Sequence, residues 1–163
     1  MSCEKNVLVG VDLMGPEDLP EILEIERDSY PSPWTRGMFE GELKTRHAQC
    51  LTAKMQIEGR TIIAGYIIFW LVADEAHLHN LAVRRQCRRQ KLGWNLMALM
   101  RRIAYDLGIR KITLEVRASN MAAIELYRQC GFVVKGRRPN YYSDTHEDAL
   151  IMWADDIQDR KDA

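Results

Sequence analysis

Residues 75–100 read EAHLHNLAVRRQCRRQKLGWNLMALM, and the fold turns on how that run is divided. Its first part, EAHLHNLAV, follows Asp74, ends at Val83 and reads as a strand. Its last part, from about Leu92, begins a helix that places Leu96, Leu99, Met100 and Ile103 on one face and is stopped by Gly108. Between them Arg84, Arg85, Arg88, Arg89 and Lys91 crowd a short loop. A strand, a basic loop and a helix start make an anion site. The N–H groups of the first helical turn are open, the helix dipole adds positive charge, and arginines can add charge-assisted bonds. Gly93 lets backbone approach a phosphate. One glycine after arginines is by itself a weak motif, and the same cations could form a solvated helix end.

Upstream, VLVGVDL alternates as a strand. In GPEDLPEILEIERDSY, Pro16 suits a first helical position, Glu17 and Asp18 suit a positive helix start, and Leu19, Ile22, Leu23 and Glu26 recur at helical spacing. After Pro31 and Pro33, Thr35 can cap a second helix, with Trp34 and Phe39 spaced as a hydrophobic staple. Residues 47–56 and 61–73 read as strands joined by Glu58, Gly59 and Arg60. Downstream, KITLEVRA is a strand with Ile112, Leu114 and Val116 on one face and Thr113, Glu115 and Arg117 on the other. Ser119 or Asn120 caps a helix carrying Ala123, Ile124 and Tyr127, which Gly131 ends. FVVKGRR and DALIMWA are the last strands, joined by a polar loop holding Asn140, Tyr141, Tyr142 and Ser143. The order β-α-α-β-β-β-α-β-α-β-β predicts one mixed α/β sheet with helices on both faces.

The 163 residues suit a single domain, 1–163, with a short polar tail from about residue 157. Lys plus Arg and Asp plus Glu are both 23, so a neutral chain with one basic patch points to a small anionic ligand. Neither nucleic acid nor a membrane surface is an expected partner. Cys3, Cys50, Cys87 and Cys130 form no C-x-x-C pair, and no His/Cys cluster has zinc spacing, so no metal is expected. The start lacks the apolar core of a signal peptide, and no apolar run reaches the ~18 residues of a membrane span. Free thiols in a reducing cytoplasm follow as the expectation. Nothing marks a large apolar face, which suits a monomer or a weak dimer.

The basic loop resembles the acetyl-CoA pyrophosphate loop of the GCN5-related N-acetyltransferase (GNAT) family, whose pattern is Gln/Arg-x-x-Gly-x-Gly/Ala. Arg88 takes the first place and Gly93 the last, while Lys91 stands where the family has its middle glycine. HLHNLAVRRQCRRQKLG, LEVRASNMAAIELYRQCGF and RRPNYYSDTHEDALIM are similar to the family's ribosomal-protein-alanine N-acetyltransferase branch. The likeness is dense from about Glu75 to Trp153; before that it is one of fold order only.

The resemblance implies a single mixed, mostly antiparallel sheet whose fourth strand splays from the fifth, with acetyl-CoA as co-substrate in the gap. It assigns the acetyl and pantetheine arm to the backbone of Leu81, Ala82 and Val83. It assigns the pyrophosphate to Arg88, Arg89, Gln90, Lys91, Leu92, Gly93 and Trp94, and a second cofactor contact to Asn120. If the family's middle position has φ > 0, Lys91 there costs roughly 1 kcal/mol, which the helix N-terminus and two arginines can offset.

Acetyl transfer to an amine needs a base for the ammonium proton, donors for the oxyanion and an acid for the departing thiolate. From spacing alone, Glu115 is a cross-strand surface pair and Tyr127 a core tyrosine. The context LEVRASN…LY implies instead that Glu115 is the general base and Tyr127 the general acid. Tyr141 and Tyr142 are expected to line a peptide groove. Asp144, Glu147 and Asp148 either favour a cationic substrate or are solvated loop charges, His77 and His79 read as structural, and Trp34 as the staple. The implied activity is acetylation of a protein N-terminal α-amine, foremost the N-terminal alanine of a small-subunit ribosomal protein, by direct transfer. Two readings compete: the same fold acting on a small amine or a lysine side chain, and an acyl-CoA-binding module without turnover.

Overall fold

The computed structural model describes residues 7–158, so Cys3, Asp159 and Asp162 lie outside the described residues. The elements are β1 (Val7–Leu13), α1 (Leu19–Ser29), α2 (Arg36–Lys44), β2 (Ala48–Ile57), β3 (Arg60–Val72), β4 (Glu75–Val83), α3 (Leu92–Asp106), β5 (Lys111–Arg117), α4 (Met121–Gln129), β6 (Val133–Tyr142) and β7 (Glu147–Ala154). This is the expected order. The seven strands form one mixed sheet in the order β1-β2-β3-β4-β5-β7-β6. No described helix is long and apolar enough to cross a membrane. The chain divides into two compact units: one takes the residues up to Ile68 with Asn80–Leu96, the other Phe69–His79 with Met97 onward.

In the first unit, the apolar stripe of α1 (Leu19, Ile22 and Ile25) is buried with Phe39, Ile63, Tyr66, Ile68 and Ala82. The Thr35 hydroxyl caps α2 by accepting the Met38 N–H at 3.3 Å. Trp34 packs its ring 5.3 Å from Phe39, the staple contact. Glu58 and Gly59 both take positive φ (48° and 73°) between β2 and β3, as a tight hairpin turn requires. At Gly65 a Cβ would come within 2.8 Å of the Ala82 carbonyl oxygen and 3.4 Å of the Val83 Cα. The first approach is a clash with β4 backbone, which cannot step aside as a flexible side chain can. Gly65→Ala is therefore expected to lower stability by about 1–3 kcal/mol, measured as a fall in the thermal unfolding midpoint.

In the second unit, β5 pairs with β7 from Ile112↔Ala154 to Arg117↔Ala149, antiparallel. Ile112, Leu114 and Val116 are buried while Glu115 is exposed, as the alternation predicts. The parallel ladder between β4 and β5 runs only from Glu75↔Lys111 to Leu78↔Leu114, although β4 continues to Val83 and β5 to Arg117. Glu115 is thus the first β5 residue past the end of that ladder. Tyr141 and Tyr142 correct the sequence-based expectation: they end strand β6 rather than lying in a loop. Asn140 takes a positive φ of 51°, and two more residues lie on β6 than on β7 between Arg138↔Ala149 and Tyr142↔Glu147. Polar composition suggests a loop there, but β7 supplies a pairing partner after the bulge and the two aromatics favour extended backbone.

Candidate active site

The loop leading into α3 ends in an open helical turn flanked by cations, which can serve as an anion site. Asn95 donates its N–H to the Lys91 carbonyl at 2.9 Å, so the N–H groups of Leu92, Gly93 and Trp94 form the open first turn. Two of the five loop cations hold the loop in place. Arg84, mostly buried, donates to the Ile63 carbonyl (2.7 Å) and to Glu21 (2.8 Å). Arg88 donates from Nε to the Val83 carbonyl (2.9 Å) and from Nη2 to the Ser29 hydroxyl (3.1 Å). Arg85, Arg89 and Lys91 are exposed, and no acidic residue occurs from Arg84 to Trp94. The loop's outward charge accordingly comes from these three, from the equally exposed Arg88 and from the helix end.

Arg89 and Lys91 both take φ of 59°, the left-handed region. The position that carries glycine in the family pattern therefore has the glycine-like backbone, with a lysine in it. The cost is about 1–2 kcal/mol for a residue with a Cβ, against the roughly 0.5–1 kcal/mol that glycine loses through its freer unfolded chain. Lys91→Gly is expected to leave the unfolding midpoint unchanged or raise it by a few degrees; a melting curve checks this. Any weakening of anion affinity in that variant then reports the lost charge, not a broken backbone.

Beneath the loop end of β4, Glu26 of α1 is 1% exposed. Its carboxylate accepts the Tyr66 hydroxyl, the Asn80 amide (3.1 Å) and the Trp34 backbone N–H (2.8 Å). Burial and the Glu26 carboxylate push the Tyr66 phenol far above its usual range. From the same helix end, the Tyr30 hydroxyl donates to the Leu81 carbonyl. Glu26, Asn80 and Tyr30 so tie α1 to Asn80 and Leu81 of β4. The sequence shows Glu26 within the buried stripe of α1, the one signal available; its two side-chain partners lie 40 and 54 residues away.

In the second unit a charged cluster covers one face of β5, β7 and β6. The register sets two rows, Glu115–Ile151–Gly136 and Arg117–Ala149–Arg138. Arg138 Nε donates to Glu115 Oε1 at 2.8 Å, and the Tyr141 phenol hydrogen-bonds the same carboxylate. That bond, then burial, raises the Tyr141 pKa. Arg117 grips Asp144 with both Nη atoms (2.9 and 3.2 Å) and stacks 3.9 Å from the Tyr142 ring centroid. Burial pushes the Tyr142 phenol up to about 12. Glu147 accepts the Ser119 N–H at 2.7 Å, and Asp148 accepts the Asn140 N–H (2.9 Å) and Arg137 (2.7 Å). These bonds hold both carboxyls below their usual range. Asp144, Glu147 and Asp148 are thus neither free solvated charges nor free subsites; each has an internal partner.

Of the remaining candidates, Asn120 caps α4 by accepting the Ala123 N–H at 3.2 Å. Tyr127 of α4 is 6% exposed, its ring 6.0 Å from Phe132. His77 contacts Glu75 at 2.9 Å and His79 stacks on Trp70 at 4.2 Å. Cys50 and Cys87 are buried, and burial raises both thiols, Cys50 to about 11. Neither has the lowered pKa of a nucleophilic cysteine. The structure brings Glu115 together with Tyr141, and Leu81 to Trp94 along one continuous segment. Arg138, Arg117, Glu26 and Tyr30 are contributors that sequence patterns did not single out for the site.

The acetyltransferase (GNAT) family model matches residues 19–132. The [ribosomal protein bS18]-alanine N-acetyltransferase of Salmonella typhimurium is 36% identical over 144 residues, covering 87% of this chain and 94% of that protein. The Escherichia coli protein of the same name is 38% identical over 140 residues, covering 83% and 89%. The crystal structure of the Escherichia coli ribosomal-protein-alanine N-acetyltransferase superposes with a TM-score of 0.78 at 31% identity, covering 94% of this chain and 97% of that one.

Proposed function

Because the chain belongs to the acetyltransferase (GNAT) family, we propose that it moves an acetyl group from acetyl-CoA to a protein N-terminal α-amine, the alanine of ribosomal protein bS18 being the foremost acceptor. The observation that carries this is the likeness to enzymes named for that reaction over most of both chains. The loop fits the co-substrate: an open helix turn, four exposed cations and no acid in the segment are what a pyrophosphate needs. When bound, acetyl-CoA supplies the activated acyl group.

The chain's own residues take the remaining roles. Backbone of Leu81, Ala82 and Val83 orients the acyl arm, with Tyr30 fixing the Leu81 carbonyl. Leu92, Gly93 and Trp94 offer N–H groups to phosphate, aided by Arg89 and Lys91. Asn120 is a further cofactor contact through groups not used in its cap. Glu115 takes the proton of the acceptor ammonium, directly or through water, and Tyr127 gives a proton to the departing thiolate. Tyr141 and Tyr142 line the acceptor peptide. The reaction is assigned to the cytoplasm, in keeping with free thiols at Cys50, Cys87 and Cys130.

The test is thiol release from acetyl-CoA with a peptide bearing the bS18 N-terminal alanine, the same peptide blocked at its α-amine, a lysine peptide and spermidine. Release with the unblocked alanine peptide alone is the expected result. Release with spermidine or the lysine peptide would reassign the acceptor, and binding of acetyl-CoA without release on any amine would reduce the chain to a binding module.

A further inference from the structure

Resting on the assignment of Glu115 as the base, we propose that Arg138 is a positioning residue of the reaction, setting the direction in which Glu115 presents its carboxylate. Arg138 belongs to β6 and Glu115 to β5, with β7 between them. To reach Glu115 Oε1 at 2.8 Å, the Arg138 side chain runs diagonally from the Arg117–Ala149–Arg138 row to the Glu115–Ile151–Gly136 row. Two small residues make that crossing possible. Ala149 is fully buried beneath the row, and Gly136 has no side chain: a Cβ there would stand 3.3 Å from Ile151 Cδ1.

The pairing is selective. Arg117 is held by Asp144 and Glu147, Arg137 by Asp148, and Lys135 by Asp155. Glu115 is the acid held by Arg138. The contact is made through Nε, the least mobile N–H of the guanidinium, and the Tyr141 ring lies 5.9 Å from the Arg138 guanidinium carbon. Tyr141 adds its phenol to the same carboxylate. A glutamate on a strand's exposed face has three free torsions, and these two donors remove that freedom. Stability does not explain the arrangement: the side chains are 55% and 31% exposed, and a pair so exposed contributes little to folding. A base misplaced by a fraction of its reach loses much of its rate, which does explain it.

The test is steady-state kinetics with acetyl-CoA and the unblocked alanine peptide on Arg138→Ala, Arg138→Lys, Glu115→Gln and the Arg138→Ala, Glu115→Gln double variant. Arg138→Ala is expected to lower kcat roughly tenfold, with KM for acetyl-CoA unchanged to within about twofold. Arg138→Lys is expected to recover part of the loss, since the charge returns without the directed Nε–H. In the Glu115→Gln background, Arg138→Ala is expected to change kcat by less than about twofold, because the group it positions is gone. A full tenfold loss in that background, or a loss seen wholly in the peptide KM, would overturn the proposal while leaving the base assignment intact. Full turnover by Glu115→Gln alone would sink the base assignment itself.

Discussion

Glu115→Gln is expected to lower turnover at neutral pH by roughly 100-fold or more, while the dissociation constant for acetyl-CoA stays put. Glutamine keeps the length of the side chain, and its amide oxygen can still accept from Arg138 Nε and Tyr141, so the cluster around it should survive. What is lost is an oxygen able to take a proton. The need for that proton acceptor depends on pH in a definite direction. An α-ammonium has a pKa of about 8, so at neutral pH most of the acceptor must be deprotonated on the enzyme. Well above that pH the amine arrives neutral, and the gap between parent and variant should narrow. Thiol release measured at neutral pH and again above pH 8, with acetyl-CoA binding followed separately, decides it. A constant gap across that range would remove Glu115 from the proton transfer.

Glu26→Ala is expected to lower stability by about 3–5 kcal/mol, the largest loss of any single change considered. The carboxylate is 1% exposed and accepts from Tyr66, Asn80 and the Trp34 backbone. Truncation leaves two buried donors, on Tyr66 and Asn80, and the part-buried Trp34 N–H without an acceptor and opens a void among them. The loss should appear as a fall in the unfolding midpoint of about 6–20 °C for a chain of this size. Glu26→Gln should cost less, since its amide oxygen can still serve one or two of the donors. In a variant kept folded at low temperature, KM for acetyl-CoA should rise, because α1 then fixes β4 at Asn80 and Leu81 less firmly. A midpoint within a degree or two of the parent would show that the network is dispensable.

The architecture was legible in the sequence because its signals are local. Alternation marks β1 and β5, the 3.6-residue period marks α1 and α3, and Gly108 and Gly131 take the positive φ (81° and 88°) of helix ends. Thr35 caps as its position suggests. The basic loop was legible as a loop, and the left-handed backbone at Lys91 follows from the glycine it replaces. Its internal bonds were less so: Arg84 turns inward and the exposed Arg88 bonds back to the fold because Ile63, Val83, Glu21 and Ser29 come near them only in three dimensions. Tyr141 and Tyr142 were misplaced because residue chemistry in Asn-Tyr-Tyr-Ser suggests a turn, whereas strand length there is set by a partner. The hold of Arg138 on Glu115 spans 23 residues and crosses an intervening strand, so no periodicity could announce it.

The bulges of β6 bear on how this region tolerates change in length. Between Val134↔Met152 and Gly136↔Ile151 one extra residue enters β6, and between Arg138↔Ala149 and Tyr142↔Glu147 two enter. A strand shows alternate residues to opposite faces, so an odd insertion or deletion reverses every side chain beyond it, and an even one does not. Losing one residue between Arg138 and Tyr142 would turn Tyr142 away from Arg117. Losing two would erase the bulge and keep Tyr142 in place. Across descendants of this chain, the stretch after Arg138 should shorten or lengthen in steps of two, and the single extra residue at Lys135 should be kept, since the parity of Gly136 and Arg138 depends on it.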